Sequence, residues 1–170
     1  MKSKENIVFL GMMGSGKTSI GSLVAKKLKL KFVDIDNEIE KNLNIKIKKI
    51  FEVKGEDYFR KIEEQTTLKN LKLNTSVISL GGGAFVNSNI RKEVLKNHLS
   101  FWLNWDTKIL LNRIKYSVKR PLAFNSSDGD LIDLIKKRSS YYSKALFEIK
   151  CDNLTKNEIV DKVIEIYETN

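Results

Sequence analysis

The sequence predicts an α/β protein in which a parallel β-sheet is covered by helices on both faces. Short apolar runs alternate with helical patterns along the 170 residues, as in parallel sheets with crossover helices. The first apolar run leads directly into a glycine-rich loop that opens a helix, an arrangement typical of anion-binding sites. The expected strands are 7–10, 31–33, 76–80, 100–103 and 147–151, and the expected helices are roughly 17–29, 56–72, 88–97, 107–117, 129–144 and 155–168.

Length and composition limit the class of protein. The 170 residues fit one domain over 1–170, and no apolar run approaches the ~20 residues of a membrane span. Cys151 is the only cysteine and His98 the only histidine, which excludes an internal disulfide and metal sites that need several such residues. The first apolar run continues into the glycine loop without a cleavage pattern, so we expect a cytoplasmic protein.

The charge of the chain is strongly positive, with a formal net value of +10. Lysine supplies 26 of the 31 basic residues and is scattered along the chain, as on solvated surfaces, so we expect no specific nucleic-acid partner. Arginine is scarce. A chain that uses lysine for general charge can keep arginine where a planar, bidentate group must hold an anion.

The glycine-rich loop spans residues 11–18, GMMGSGKT, and fits the pattern G-x-x-x-x-G-K-[ST] between a buried strand and a helix. Its backbone amides and the start of the helix form an anion-binding nest, which predicts nucleotide binding by Gly14, Ser15, Gly16, Lys17, Thr18 and Ser19. In this motif the lysine reaches the outer phosphates and the threonine hydroxyl binds magnesium. A chance glycine turn is the alternative, and the strand–loop–helix setting disfavours it.

Two aspartates follow the second predicted strand. If the strand continues, period two places Asp34 and Asp36 on one side, at the edge where open α/β sheets bind ligands. Asp36 can also cap the next helix, whose first turn would hold Glu38 and Glu40, and such a cap is compatible with a functional role. We favour a functional role because magnesium needs an acid and the other strand ends offer few. Asp106 is a competing candidate, but its setting is typical of a helix N-cap.

A helical insertion is expected between the second and third strands, about 35–62, although the pattern over 37–59 is irregular. It ends in the stretch GEDYFRKIEE, which carries Arg60. An ion pair with Glu63, three residues later, is the structural interpretation of this arginine.

Three consecutive glycines, 81–83, follow the third predicted strand. Such a run alone is typical of a flexible turn. At the carboxyl end of a strand, opposite the phosphate loop, it favours close approach of backbone amides to a ligand. Because this strand ends in glycine rather than aspartate, the magnesium role is assigned to Asp34.

A lid is expected over about 116–130, where the helical pattern thins around the only proline, Pro121. Loops of this length in compact domains are usually functional. Arg120 would fold over the nucleotide when the lid closes. Arg113 lies at the base of the lid, and Arg138 lies on the following helix.

These pieces together resemble the shikimate kinase family, part of the nucleoside-monophosphate-kinase-like P-loop kinases. The resemblance covers nearly the whole chain, in family order: GMMGSGKT, DID, GEDYFRKIEE, VISLGGGAF, RPL and KRSSYY. It implies a three-layer P-loop kinase fold with a five-stranded parallel sheet of order 2-3-1-4-5. It also implies a monomer that transfers the ATP γ-phosphoryl group to the 3-hydroxyl of shikimate, on the route to chorismate and aromatic amino acids.

The resemblance also assigns roles. Thr18 would bind Mg²⁺ and Asp34 would support the ion through water, while Lys17 and Arg120 would neutralise the transferred group. Asp36 would hold the shikimate hydroxyls and accept the proton. The remaining assignments are a carboxylate clamp by Arg60 and Arg138, a backbone contact by Gly82, and Arg113 near the adenine.

Other functions remain as alternatives. A gluconate- or nucleotide-type kinase would share this architecture, but a carboxylate clamp beside a hydroxyl-binding aspartate suits a hydroxy acid better than a nucleobase. A regulatory GTPase would need an Asn-Lys-x-Asp stretch, and the sequence has none. Steep salt dependence of binding would identify a nucleic-acid-dependent ATPase.

Overall fold

The structure is a computed structural model that describes residues 6–73, 75–115 and 126–170. Its strands are β1 (Ile7–Leu10), β2 (Lys31–Asp34), β3 (Ser76–Ser79), β4 (Leu99–Asn104) and β5 (Phe147–Lys150). They form one parallel five-stranded sheet with the order β2-β3-β1-β4-β5. The predicted fold class and strand order are therefore confirmed.

Helices cover both faces of this sheet. Side chains alternate along β1, so that Ile7 and Phe9 pack into one apolar cluster and Val8 and Leu10 into the other. Within the described residues no helix is both long and apolar enough to cross a membrane. The helices are α1 (Lys17–Leu28), α2 (Ile35–Leu43), α3 (Ile47–Leu71), α4 (Ser88–Asn97), α5 (Thr107–Lys115), α6 (Asp128–Tyr142) and α7 (Lys156–Thr169).

The two helical layers differ in what they bring to the sheet. Helices α1 and α7 cover the face of Ile7 and Phe9, where they pack through apolar side chains. Helices α2 to α6 cover the opposite face and supply most of the charged groups described below, to which Lys17 at the start of α1 also belongs. Because all the strands are parallel, the loops that follow β1, β2 and β3 meet at one edge of the sheet, where ligands bind in open α/β folds.

The insertion after β2 is more regular than the sequence predicts. Helix α2 begins at Ile35, directly after the strand, and α3 begins at Ile47, well before the predicted start at 56. Gly55 interrupts α3 with φ 82° and ψ 171°, a backbone conformation that glycine adopts readily. This interruption and the lysine-rich composition obscure the helical period in the sequence.

The capping residue of α2 is Asp34, whose Oδ1 accepts a hydrogen bond from Asn37 N at 3.1 Å. The expectation that Asp36 can serve as this cap is therefore wrong, and so is the extended strand that would align the two aspartates. Asp36 lies in the first turn of α2, and the helical turn, not strand pleating, places its carboxylate.

The predicted lid falls mostly on residues 116–125, which lie outside the described residues together with Arg120. Its last part is helical, because α6 begins at Asp128. A capping box fixes this start: Ser127 Oγ accepts from Asp130 N, and Asp130 Oδ2 accepts from Ser127 N at 2.9 Å.

Candidate functional site

A cavity of about 700 Å³ lies at the edge where the strand ends meet. The phosphate loop forms one end of it, and charged side chains from α2, α3 and α6 form the other. The predicted residues that line it are Gly14, Gly16, Lys17, Thr18, Ser19, Asp34, Asp36, Arg60, Gly82 and Arg138. The structure thus brings together residues that are far apart in sequence.

The phosphate loop is curled by glycines that adopt left-handed backbone conformations. Gly14 has φ 81° and Gly16 has φ 91°, and a residue with a side chain would be strained at these values. The turn is closed by Ser15 N, which donates to Met12 O at 3.1 Å, and α1 begins at Lys17. The buried Ser15 hydroxyl has no hydrogen-bond partner among the described residues. This geometry is that of an anion nest at a helix N-terminus.

Lys17 brings a positive charge to this nest. Its side chain is buried, and Nζ donates to Gly11 O at 2.9 Å and to Met12 O at 3.0 Å. The loop's own carbonyls therefore hold the ammonium group against the cavity wall. A lysine held there is already in place to neutralise phosphate charge when a nucleotide binds.

Thr18 near the start of α1 and Asp34 at the end of β2 bring two oxygen atoms together that could ligate a metal. Thr18 Oγ1 donates to Asp34 Oδ2 at 2.6 Å. The described residues contain no group of three or more His, Cys, Asp or Glu that could hold a metal. Magnesium commonly takes one or two protein oxygens and completes its shell with phosphates and water, so this pair fits Mg²⁺ bound together with a nucleotide.

Asp36 and Glu63 face the glycine run from two different helices. A Cβ atom added at Gly81 would lie 2.8 Å from Asp36 Oδ1 and 2.5 Å from Glu63 Oε1. Burial, helped by the charges of Asp34 and Glu63, raises the pKa of Asp36 to about 6. A carboxylate of that basicity accepts a proton more readily than an ordinary aspartate does.

Arg60 is held by two glutamates of its own helix. Its Nη1 donates to Glu63 Oε2 at 2.7 Å, and its Nε and Nη2 donate to Glu56 Oε1 at 3.2 and 3.1 Å. The ion pair with Glu63 that the spacing indicates is therefore present. It does not remove Arg60 from the site, because the guanidinium lines the cavity and closely approaches Gly83.

Arg138 is the most deeply buried cation of the cavity, with 5% of its surface exposed. Its Nη1 lies 3.8 Å from Met12 Sδ, and a Cβ atom added at Gly82 would lie 3.2 Å from Nη1. Within the described residues it forms no salt bridge, unlike Arg60, and the charge of Glu63 compensates it only from beyond salt-bridge distance. A buried guanidinium is costly unless an anion compensates it, so this arrangement favours an anionic ligand.

Sequence reasoning missed the roles of one residue that fixes the glycine run and of one that fixes the helical turn after it. The hydroxyl of Tyr142 donates a short hydrogen bond to Gly82 O, and burial raises the pKa of Tyr142 to about 12. Arg91 Nη1 donates to Phe85 O at 3.0 Å and to Val86 O at 2.8 Å. The available signals were the position of Tyr142 in the stretch KRSSYY and its spacing, four residues after Arg138 on the same helix.

The middle of the phosphate loop, at Gly14 and Ser15, contacts α5 and the turn before it. Arg113 Nη1 donates to Gly14 O at 3.2 Å, and Trp105 Nε1 donates to Ser15 O at 2.8 Å. Asp106 caps α5, because its Oδ1 accepts from Lys108 N at 2.8 Å. The prediction that Asp106 serves as a cap is confirmed.

Comparisons with known proteins agree with this geometry. The family model described as shikimate kinase matches residues 13–168. A shikimate kinase of Bacillus subtilis (strain 168) is 41% identical over 172 residues, which is 95% of this chain and 88% of that protein. The structure of a shikimate kinase from Acinetobacter baumannii in complex with shikimate superposes with a TM-score of 0.91 at 28% identity, covering 99% of this chain and 96% of that one.

A likeness at the level of the fold extends further. A gluconokinase from Sinorhizobium meliloti 1021 superposes with a TM-score of 0.63 at 15% identity, covering 99% of this chain and 94% of that chain. At this identity the likeness concerns the fold alone.

Proposed function

Because this chain belongs to the shikimate kinase family, we propose that it transfers the γ-phosphoryl group of ATP to the 3-hydroxyl of shikimate, giving shikimate 3-phosphate and ADP. The observation that supports this most strongly is the buried Arg138 beside Arg60, with Asp36 opposite them in one cavity. The guanidinium groups of Arg138 and Arg60 can bind a carboxylate of the substrate, and the carboxylate of Asp36 can accept hydrogen bonds from its hydroxyl groups. Shikimate carries both kinds of group.

In the acceptor site, Arg138 and Arg60 bind the shikimate carboxylate and Asp36 binds its ring hydroxyls. Glu63 holds Arg60 in place through the contact at 2.7 Å. The peptide groups of the glycine run contact the ring, with Gly82 fixed by Tyr142. The absence of side chains at 81–83 matters here, because a Cβ atom at Gly83 would lie 2.5 Å from Arg60 Nη1.

In the nucleotide site, the amides of Gly14 to Ser19 bind the phosphates and Lys17 neutralises their charge. Thr18 would bind Mg²⁺ and Asp34 would support it through water. The ion would supply neutralisation of phosphate charge. Arg113 binds near the adenine, and Arg120 of the predicted lid covers the γ-phosphate.

The reaction asks for positioning and charge neutralisation more than for covalent chemistry. The 3-hydroxyl passes its proton to Asp36 as its oxygen forms the bond to the γ-phosphorus. The bond from that phosphorus to the bridging oxygen breaks, and ADP leaves with the electron pair. Lys17 and Arg120 stabilise the charge on the transferred group.

We propose further that the enzyme is cytoplasmic and monomeric, with a substrate-binding insertion at about 35–62 and a lid at about 116–130. One chain supplies every proposed ligand of both substrates.

The lone cysteine, Cys151, is buried, and burial raises the pKa of its thiol to about 12, which keeps it protonated and unreactive.

A coupled assay of ADP release, with ATP and magnesium, tests the substrate. Shikimate, gluconate and AMP are compared at equal concentration, and we expect turnover with shikimate alone. Turnover with gluconate or AMP instead would retain the kinase fold and reject the carboxylate clamp. ADP release that depends on none of the three would reject the proposed reaction.

A further inference from the structure

Trp105 joins the phosphate loop to the helix that carries Arg113. It lies in the turn between β4 and α5, and its indole Nε1 donates to Ser15 O at 2.8 Å, across 90 residues of sequence. The guanidinium of Arg113 stacks on the indole, with its central carbon 3.8 Å from the ring centroid. Arg113 in turn donates to Gly14 O at 3.2 Å. Trp105 thus fixes one loop carbonyl directly and a second through Arg113.

These two carbonyls belong to the residues whose backbone direction makes the nest. A peptide unit that turns its C=O outward presents the following N–H to the opposite side. Holding the carbonyls of Gly14 and Ser15 therefore fixes the amides of Ser15 and Gly16. A loop that already has its bound conformation loses less conformational entropy when phosphate binds.

The turn that carries Trp105 is itself held in place. Asp106 N donates to Asp152 Oδ1 at 2.7 Å, which ties this turn to the loop after β5. Cys151 N donates to Asn104 O at 2.9 Å in the same region. The indole is therefore anchored to the sheet edge rather than carried by a loose loop.

We infer that Trp105 is a positioning residue for the nucleotide. Its N–H orients the phosphate loop, and its ring face orients the guanidinium of Arg113. This inference rests on the proposed ATP site, and it adds a residue to which the family resemblance assigns no role. Trp105 does not line the cavity, so it acts through the loop and through Arg113 rather than by touching the acceptor.

The alternative is that Trp105 only fills space. The indole is partly buried and packs against both apolar clusters, so its removal can lower stability without any effect specific to the nucleotide. Trp105→Phe separates the two interpretations, because it keeps an aromatic face for Arg113 and removes the N–H donor. Trp105→Leu removes both the donor and the stacking face.

The test measures equilibrium binding of ADP and of shikimate to the folded variants by calorimetry. The loss of one neutral hydrogen bond corresponds to about a 3- to 10-fold weaker ADP Kd for Trp105→Phe. We expect a larger loss for Trp105→Leu and a shikimate Kd within 2-fold of the wild-type value for both variants (about 0.4 kcal/mol). An unchanged ADP Kd for Trp105→Phe, or an equal loss for both ligands, overturns the inference.

A spectroscopic measurement gives an independent readout. The chain has two tryptophans, so Trp105 is the only tryptophan in a Trp102→Phe protein. We expect ADP to change the indole emission of that protein, and the Trp105→Phe protein to lack this change. An emission that ADP leaves unaltered in the Trp102→Phe protein contradicts the coupling. Failure of the proposed reaction is distinguishable, because it appears as absent shikimate turnover in the wild-type protein while ADP binding remains measurable.

Discussion

The two ends of the cavity bind their ligands by different means. At the nucleotide end, one continuous stretch, 11–19, supplies backbone amides, and the sharp turns at Gly14 and Gly16 aim them. At the acceptor end, α2, α3 and α6 supply charged side chains around the glycine run 81–83. The first end depends on backbone conformation, whereas the second depends on compensation among charges from distant parts of the chain.

This difference has an energetic consequence. Backbone amides carry no net charge, so a nest is not destabilised by the absence of its ligand as a buried ion is. The acceptor end holds Asp36, Glu63, Arg60 and Arg138 close together, and burial raises the pKa values of both acids. Substitutions at the acceptor end should therefore alter acceptor affinity, chemistry and stability together.

The largest effect is expected for Asp36→Asn, which removes the proton acceptor and the charge. General base catalysis contributes typically about 10²- to 10⁴-fold, so kcat should fall by that factor. The ADP Kd should change far less than kcat, because Asp36 reaches the nucleotide end only through its charge interactions with Asp34 and Lys17. Steady-state kinetics and calorimetry measure both quantities, and near-normal kcat would reject the role of Asp36.

The same substitution should stabilise the fold. The pKa of Asp36 is raised from 3.8 to about 6, so its contribution to stability is largest below pH 4 and is lost as the pH rises through 6. At pH 7 the buried charge costs about 1–2 kcal/mol, because water screens part of the full shift. Thermal unfolding at pH 7 should show a higher Tm for Asp36→Asn than for the wild-type protein, and a lower one would contradict this assignment.

Arg138→Lys should have the next largest effect on the kinetics. A lysine keeps the charge but cannot form the bidentate contact with a carboxylate, so the KM for shikimate should rise about 10- to 100-fold (about 1.4–2.7 kcal/mol). The KM for ATP should change little. Unchanged kinetics with shikimate would refute the clamp.

The effect of pH on kcat/KM should be smaller than the effects of these two substitutions, and it should appear only on the acid side. Asp36 must be deprotonated to accept the proton, so kcat/KM for shikimate should fall about 10-fold per pH unit well below its pKa of about 6. The limb should be absent from the residual activity of Asp36→Asn. A flat profile between pH 5 and 7 in the wild-type enzyme would contradict the raised pKa.

Gly83→Ala should have the smallest effect of the four variants and conditions. The added Cβ would lie 2.5 Å from Arg60 Nη1, so the guanidinium must move, and we expect the KM for shikimate to rise about 3- to 10-fold (about 0.7–1.4 kcal/mol). Gly129→Ala is the comparison for the shikimate KM, because its Cβ would meet nothing closer than 3.7 Å; since Gly129 lies in the proposed lid, the KM for ATP is not compared. Equal kinetics for the two variants would contradict the close packing of Arg60 on the glycine run.

The same comparison explains what the sequence predicts and what it does not. The phosphate loop and the parallel sheet are predictable, because a contiguous motif and regular alternation carry them, whereas the order of the five strands is implied only by the family resemblance. The early start of α3 is missed, since Gly55 and the many lysines blur the period. The assignment of the cap to Asp36 fails because α2 begins directly after the strand, at Ile35, which makes Asp34 the capping residue.

At both ends of the cavity, the sequence indicates which residues matter but not how they are held. The contact of Tyr142 with Gly82 O spans 60 residues, and that of Trp105 with Ser15 O spans 90. No local spacing encodes such a partner, because it depends on how the helices dock. Arg91, an arginine to which the resemblance assigns no role, holds the carbonyls of Phe85 and Val86 instead of an anion.

One crossed measurement tests the separation of the two ends most directly. ADP and shikimate Kd values are determined by calorimetry for the wild-type, Arg138→Lys and Trp105→Phe proteins under the same conditions. If the ends are separate, Arg138→Lys weakens only shikimate binding and Trp105→Phe weakens only ADP binding. If each variant weakens both ligands to the same extent, the cavity behaves as one unit and the division between a backbone end and a side-chain end is wrong.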